Sequence, residues 1–167
     1  VMLSNKYEAF ESDGEISELE DVTYTDLFMD TKKAWNEGFT GEGMAVAIID
    51  TGADVNHEAF RGDIENPRYT KENLTKIIKD ANLSAKGVIN ADVVYHSEKI
   101  PYAFDYANND THAYAAGQDH GTHVAGIVGG NSGKIRGAAI DAQLVIMKVF
   151  DDQGSAFETY ILAGVED

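Results

Sequence analysis

Two short segments hold the residues whose types and spacing suit proton transfer. In Val46-Ala-Ile-Ile-Asp-Thr-Gly52, Asp50 ends an apolar run of strand length. Open α/β sheets place their active sites at that carboxyl end. Thr51 and Gly52 then allow a tight turn with backbone donors near the carboxylate. In Asp119-His-Gly-Thr-His-Val-Ala-Gly126, His120 opens a helix, and Gly121 and Gly126 permit that helix to pack closely on a sheet. A carboxylate and an imidazole that meet within hydrogen-bonding reach can orient and move a proton. Each segment alone also has a plain structural reading. Asp50 would be a solvated strand-end residue capping a turn, and His120 and His123 would be satisfied histidines of a buried helix. Zinc is disfavoured, because His120 and His123 stand three apart, without the i, i+4 spacing and intervening glutamate of zinc peptidases.

The elements that must carry these residues follow from pattern. Residues 44–49 are a continuous apolar run flanked by glycines, which predicts a strand buried on both faces of a parallel sheet. Residues 120–128 have a helical pattern that ends at Gly129 and Gly130. Residues 143–150 predict a second strand, an apolar run with Lys148 inside it, and residues 151–154 a turn. A short helix is predicted over 31–37, closed by Gly38. Another is predicted over 70–83, with Leu74, Ile77, Ile78 and Ala81 in helical period and Thr70 as N-cap. Residues 88–95 read as extended, and 101–117 as a loop rich in Asn, Asp and Tyr. Ser155 and Glu158 stand in the Ser-x-x-Glu relation of a capping box, so a helix is predicted from Ser155. It meets no stop signal before Asp167, and the chain is expected to end inside it.

Composition bounds the rest. The 167 residues can bury a real apolar core, and 43% hydrophobic with 25% charged residues is ordinary for a globular domain. No apolar run approaches the roughly 18 residues of a membrane span. Cysteine is absent, which excludes disulfides and thiolate metal sites without fixing a compartment. Val1 is not a natural start and no signal peptide is visible, so the chain reads as mature or engineered. The formal net charge of −16 argues against nucleic acid, which needs clustered Lys and Arg. Much of the excess lies in residues 1–30, a solvated acidic arm that Tyr7, Phe10, Leu27 and Phe28 are available to pin to a neighbouring surface. A field attracting basic substrates is the weaker reading of that charge.

Together the two segments resemble the first two signatures of the subtilisin family, in its Asp…His…Ser order. Gly137-Ala-Ala-Ile-Asp-Ala-Gln-Leu-Val-Ile-Met-Lys-Val-Phe150 is similar to the strand that follows the histidine helix there. A closer likeness is to the cell-envelope proteinases of Gram-positive bacteria, the lactocepin-like group and the streptococcal complement-cleaving peptidases. Asn56-His-Glu-Ala-Phe60 and Pro101-Tyr-Ala-Phe-Asp-Tyr-Ala-Asn-Asn-Asp110 carry it, as does the separation of Asp50 and His120 by 70 positions. The resemblance implies an α/β fold with a three-layer, doubly wound, mostly parallel sheet, incomplete in this chain. It implies an acidic arm over 1–34 and the amino-terminal portion of a peptidase domain over 35–167, with an enlarged loop region at about 61–117.

The implied chemistry is serine endopeptidase acyl transfer on a protein or peptide substrate. His120 would act as the base, and Asp50 would fix its tautomer. Thr51, Gly52, Gly121 and Thr122 would support the pair. No Gly-Thr-Ser-Met-like segment occurs, so the nucleophile is not in this chain; Ser132 lies in a glycine-flanked loop, and Ser155 is read as a cap. The oxyanion asparagine and most substrate strands are expected beyond residue 167, so the remainder of the peptidase domain, on the same or a second chain, is the implied partner. The implied enzyme is bacterial, secreted or cell-wall-associated. The competing class is a non-catalytic relative that keeps the fold for binding or scaffolding; an isolated binding module sits poorly with an unfinished helix. No metal or cofactor is implied by the residues present. Calcium, bound by many subtilisins, lacks oxygen ligands where expected, since 131–136 is short and carries Lys134 and Arg136, and position 59 is Ala59. Sequons at Asn73, Asn82 and Asn109 are chance in a bacterial protein.

Overall fold

The computed structural model describes residues 6–8, 31–84, 87–132 and 135–167, with the side chains of Tyr7 and Glu8 excepted. Phe10, Leu27 and Phe28, the expected pins of the acidic arm, lie outside the described residues, as does Lys134. The elements run β1 (Lys6–Glu8), α1 (Thr31–Asn36), β2 (Ala45–Asp50), a 3-10 turn (Glu58–Phe60), α2 (Lys71–Asp80), α3 (Ala91–Val94), β3 (Tyr102–Asp105), α4 (His120–Gly129), β4 (Gln143–Lys148), β5 (Ser155–Phe157) and α5 (Glu158–Glu166).

A parallel sheet in the order β2-β4-β3 forms the centre. Alternation along each strand divides its residues between two cores. Val46 and Ile48 of β2, Ala103 of β3, and Leu144 and Ile146 of β4 meet Ala125 of α4 on one face. Tyr102, Phe104, Met147 and Ile49 meet Leu74 of α2, Val94 of α3, and Tyr160 and Ile161 of α5 on the other. Helices on both faces of a parallel sheet make the chain α/β, with part of a three-layer, doubly wound arrangement.

Several expectations change. The strands buried on both faces are β3 and β4; in β2 only Ile48 is buried and Ala47 is exposed, and among the described residues β2 pairs with β4 alone. Residues 91–94 are a short helix and not extended, since the Asn90 side chain accepts the Asp92 N–H and caps it. Tyr102–Asp105, expected within a loop, is a fully buried strand. Its tyrosine escapes the polar look of the sequence because the Tyr102 and Tyr106 hydroxyls bond each other at 2.8 Å. The capping box at Ser155 does not form. The Asp151 carboxylate takes the Gln153 and Ser155 N–H groups, and Ser155 enters β5, so α5 starts at Glu158 with Phe157 as N-cap. Part of the acidic arm is a strand, since β1 lies antiparallel on β5. Thr70 caps α2 as expected, in a reciprocal box with Asn73.

Helix α1 crosses the expected boundary at 34/35. Its Trp35 donates to the Ala138 carbonyl (2.9 Å), and the Arg136 guanidinium stacks over the indole. Region 61–117 contains α2, α3 and β3, so the insertion between the two chemical segments is structured. Ile127 on α4, and Leu162 and Val165 on α5, remain exposed.

Candidate active site

Asp50 ends β2 and His120 begins α4, and the fold brings them together. Asp50 lies in register with Lys148 at the end of the central strand, and its carbonyl accepts the Val149 N–H at 2.9 Å. By strand alternation its side chain leaves the sheet on the face covered by α4. There Asp50 Oδ1 stands 2.8 Å from His120 Nδ1. The carboxylate is 17% exposed and the imidazole 47%. With Nδ1 committed to the carboxylate, Nε2 is the ring nitrogen available for proton transfer.

The supporting residues named from sequence all touch this pair or the turn beside it. Asp50 Oδ1 also accepts the Thr51 N–H at 2.6 Å. Thr51 is 1% exposed; its hydroxyl accepts the Gly121 N–H at 3.0 Å and donates to the Gln118 carbonyl at 3.3 Å. One side chain therefore bolts the strand-end turn to the first turn of the histidine helix. Gly52 has φ +91°, and a Cβ there would sit 2.2 Å from the Ala113 carbonyl oxygen. A Cβ on Gly121 would sit 2.0 Å from the Gly52 carbonyl oxygen. Only glycine permits both approaches. The Thr122 hydroxyl accepts the Asp54 N–H at 3.0 Å.

Other expected candidates stand apart. His123 is exposed farther along α4. Ser132 follows the opposite end of α4 from His120, and its hydroxyl accepts the Ile135 N–H. Ser155 is buried in β5. Among the described residues no three His, Asp or Glu side chains converge as a metal site. At the positions where calcium ligands would be expected, Ala59 is a buried apolar residue, and Arg136 brings a cation to Trp35.

Sequence reasoning missed several neighbours. The loop before α4 is strapped to the turn after Asp50 by the Ala53 N–H on the Ala113 carbonyl, at 2.7 Å. Tyr114 donates its hydroxyl to Asp119 at 2.8 Å, and that bond, with some burial, holds its pKa above the ordinary phenol value. The largest omission is a buried ion pair, Lys148 with Asp105, at 2.7 Å. A lysine inside an apolar strand was the one visible signal of it.

Residues 41–166 match the subtilase family of peptidases, S8. The chain is 34% identical over 144 residues to the PII-type proteinase of Lacticaseibacillus paracasei and 33% to the PI-type proteinase of Lactococcus lactis subsp. cremoris. Those matches cover 79% of this chain and 7% of each relative. It is 38% identical over 118 residues to the C5a peptidase of Streptococcus pyogenes serotype M3, covering 65% of the chain and 9% of that protein. The chain thus spans less than a tenth of the length of these curated relatives. The match runs through both chemical segments and the sheet that joins them, and the chain belongs to the subtilase family.

Proposed function

We propose that this chain supplies the aspartate and histidine of a serine endopeptidase whose nucleophile lies outside these residues. The observation that carries the reading is the 2.8 Å contact between His120 Nδ1 and Asp50 Oδ1 at the carboxyl end of a parallel sheet. In the reaction, His120 Nε2 accepts the proton of the serine hydroxyl as its oxygen attacks the peptide carbonyl. The C–N bond then breaks as the same nitrogen hands the proton to the leaving amine. Water, deprotonated in turn by His120, hydrolyses the acyl-enzyme. Asp50 holds the tautomer that keeps Nε2 facing the substrate and stabilises the imidazolium.

The pairing of β1 with β5 supports a peptide substrate. The edge Ser155–Phe157 already accepts extended backbone in antiparallel register. That edge follows a turn whose Gly154 packs beside Gln118, two residues before His120. An extended substrate adding as a strand would use main-chain hydrogen bonds of this kind. A bacterial enzyme that is secreted or held at the cell wall fits the reading. Among the described residues no helix is long and apolar enough to cross a membrane. This portion is expected to bind no calcium.

The test is peptide hydrolysis by the complete peptidase. The subtilisin triad sets the scale: loss of its histidine costs about 10⁶-fold in kcat, and loss of its aspartate about 10⁴-fold. His120→Ala and Asp50→Asn are expected to approach those losses with the fold retained. Turnover within tenfold of the parent in purified His120→Ala would remove the histidine from the mechanism. Residues 1–167 alone, without nucleophile or oxyanion donors, are expected to be inert.

A further inference from the structure

Lys148 has no part in the chemistry just described, yet it is buried in the sheet between Asp50 and Asp105. It ends β4, the central strand, and lies in register with Asp50 on one side and Asp105 on the other. The three side chains therefore leave the sheet on the face that carries α4. Lys148 is completely buried, and its ammonium donates to Asp105 at 2.7 Å and to Asp152 at 2.9 Å. Asp105, 1% exposed, is fully engaged: Oδ1 accepts the Ala107 and Asn108 N–H groups, and Oδ2 accepts the Asn108 amide as well as the lysine.

The stem of the lysine matters as much as its head. A Cβ added to Gly52 would stand 3.0 Å from Lys148 Cδ, so the methylenes pass directly beneath the Asp50–Gly52 turn. The same Cβ would stand 2.2 Å from the Ala113 carbonyl oxygen, so that carbonyl and the lysine stem together crowd Gly52. An apolar residue would fill such a floor without the desolvation of an ammonium, and buried ion pairs bring little net stability over well-packed hydrophobic replacements. A charged head clamped by two carboxylates fixes the long stem in one rotamer, which an unclamped chain of that length would not keep.

We propose that Lys148 is a positioning residue for the catalytic carboxylate. Its stem sets the height of the Asp50–Gly52 turn, and Asp105 and Asp152 hold it there. This inference rests on the peptidase reading.

The experiment uses the complete peptidase. Lys148→Met alone would strand the buried charge of Asp105, so the decisive variant is Lys148→Met with Asp105→Asn. That asparagine still accepts the Ala107 and Asn108 N–H groups through its oxygen. The double variant is expected to keep its circular dichroism while kcat falls about tenfold or more at unchanged KM. The far-downfield proton resonance of the Asp50–His120 hydrogen bond is expected to shift. Wild-type kcat and an unmoved resonance would make the pair merely structural and overturn the proposal. Should the double variant not fold, Asp152→Asn reads the same clamp from its exposed end. A drop of about two- to fivefold in kcat is expected there, and no drop overturns the proposal. His120→Ala is measured alongside. Its full activity would sink the peptidase reading itself, whereas its inactivity beside an unaffected Lys148 variant would sink only the positioning role.

Discussion

Gly121 packs so tightly on Gly52 that a Cβ at position 121 would lie 2.0 Å from the Gly52 carbonyl oxygen and 3.1 Å from Asp50 Oδ1. The helix that begins with the histidine thus rests directly on the turn that follows the aspartate, backbone against backbone. Gly121→Ala must push one away from the other. Overpacking of this kind costs about 1–3 kcal/mol, and a misplacement near 1 Å costs about 10²-fold in rate. A lower melting temperature together with a fall of that size in kcat/KM is the expected result. An alanine variant with parental kinetics would mean that the contact does not set the geometry of the pair.

Thr51 tests the same junction by chemistry instead of bulk. Thr51→Val keeps the shape and removes the hydroxyl, leaving the buried Gly121 N–H and the Gln118 carbonyl without their partner. An unsatisfied buried group costs about 1–3 kcal/mol. Thr51→Val is expected to lose stability in that range, and Thr51→Ser, which retains the oxygen, much less. Denaturant midpoints of the two variants measure the difference; equal midpoints would show that the hydroxyl contributes nothing.

The pH dependence of stability is set on the alkaline side by buried groups away from the site. Lys99 is buried with its ammonium on the Ile140 and Ala142 carbonyls, and burial lowers its pKa to about 8, against the opposing pull of Asp141. Between pH 8 and its ordinary value of 10.5 the unfolded chain holds more of that proton, so stability rises with pH there. Tyr102 and Tyr106 act in the opposite sense. Burial raises both above the ordinary 10, so past that pH the unfolded chain loses their protons first and stability falls. Urea midpoints between pH 7 and 11 are expected to climb and then drop. Lys99→Met should flatten the climb and leave the drop; an unchanged climb would assign it to another group.

The two chemical segments, the strands β2 and β4, the helix α4 and the Thr70 cap were legible in the sequence, because each announces itself locally. An apolar run between glycines, a threonine N-cap and a glycine stop need only neighbours within a turn or two of the chain. Asp50 and His120, which those segments single out, meet in the structure, and Gly52 and Gly121 sit where close approach admits only glycine. What escaped was whatever depends on a partner far along the chain. Tyr102–Asp105 reads as a polar, aromatic loop until β4 pairs with it and Tyr106 takes the Tyr102 hydroxyl. Ser155 reads as a cap until the Asp151 carboxylate claims its N–H and β1 lies along it.

By itself, then, the sequence determined the two chemical segments and the strand and helix that carry them. Tertiary structure alone decided that β4 is the central strand and β2 the outer one among the described residues. It also decided that Lys148 meets Asp105 and that its stem runs beside the turn after Asp50. Hydrogen-bond register and charge pairing join residues tens of positions apart, and no local pattern of side chains encodes which ones will meet.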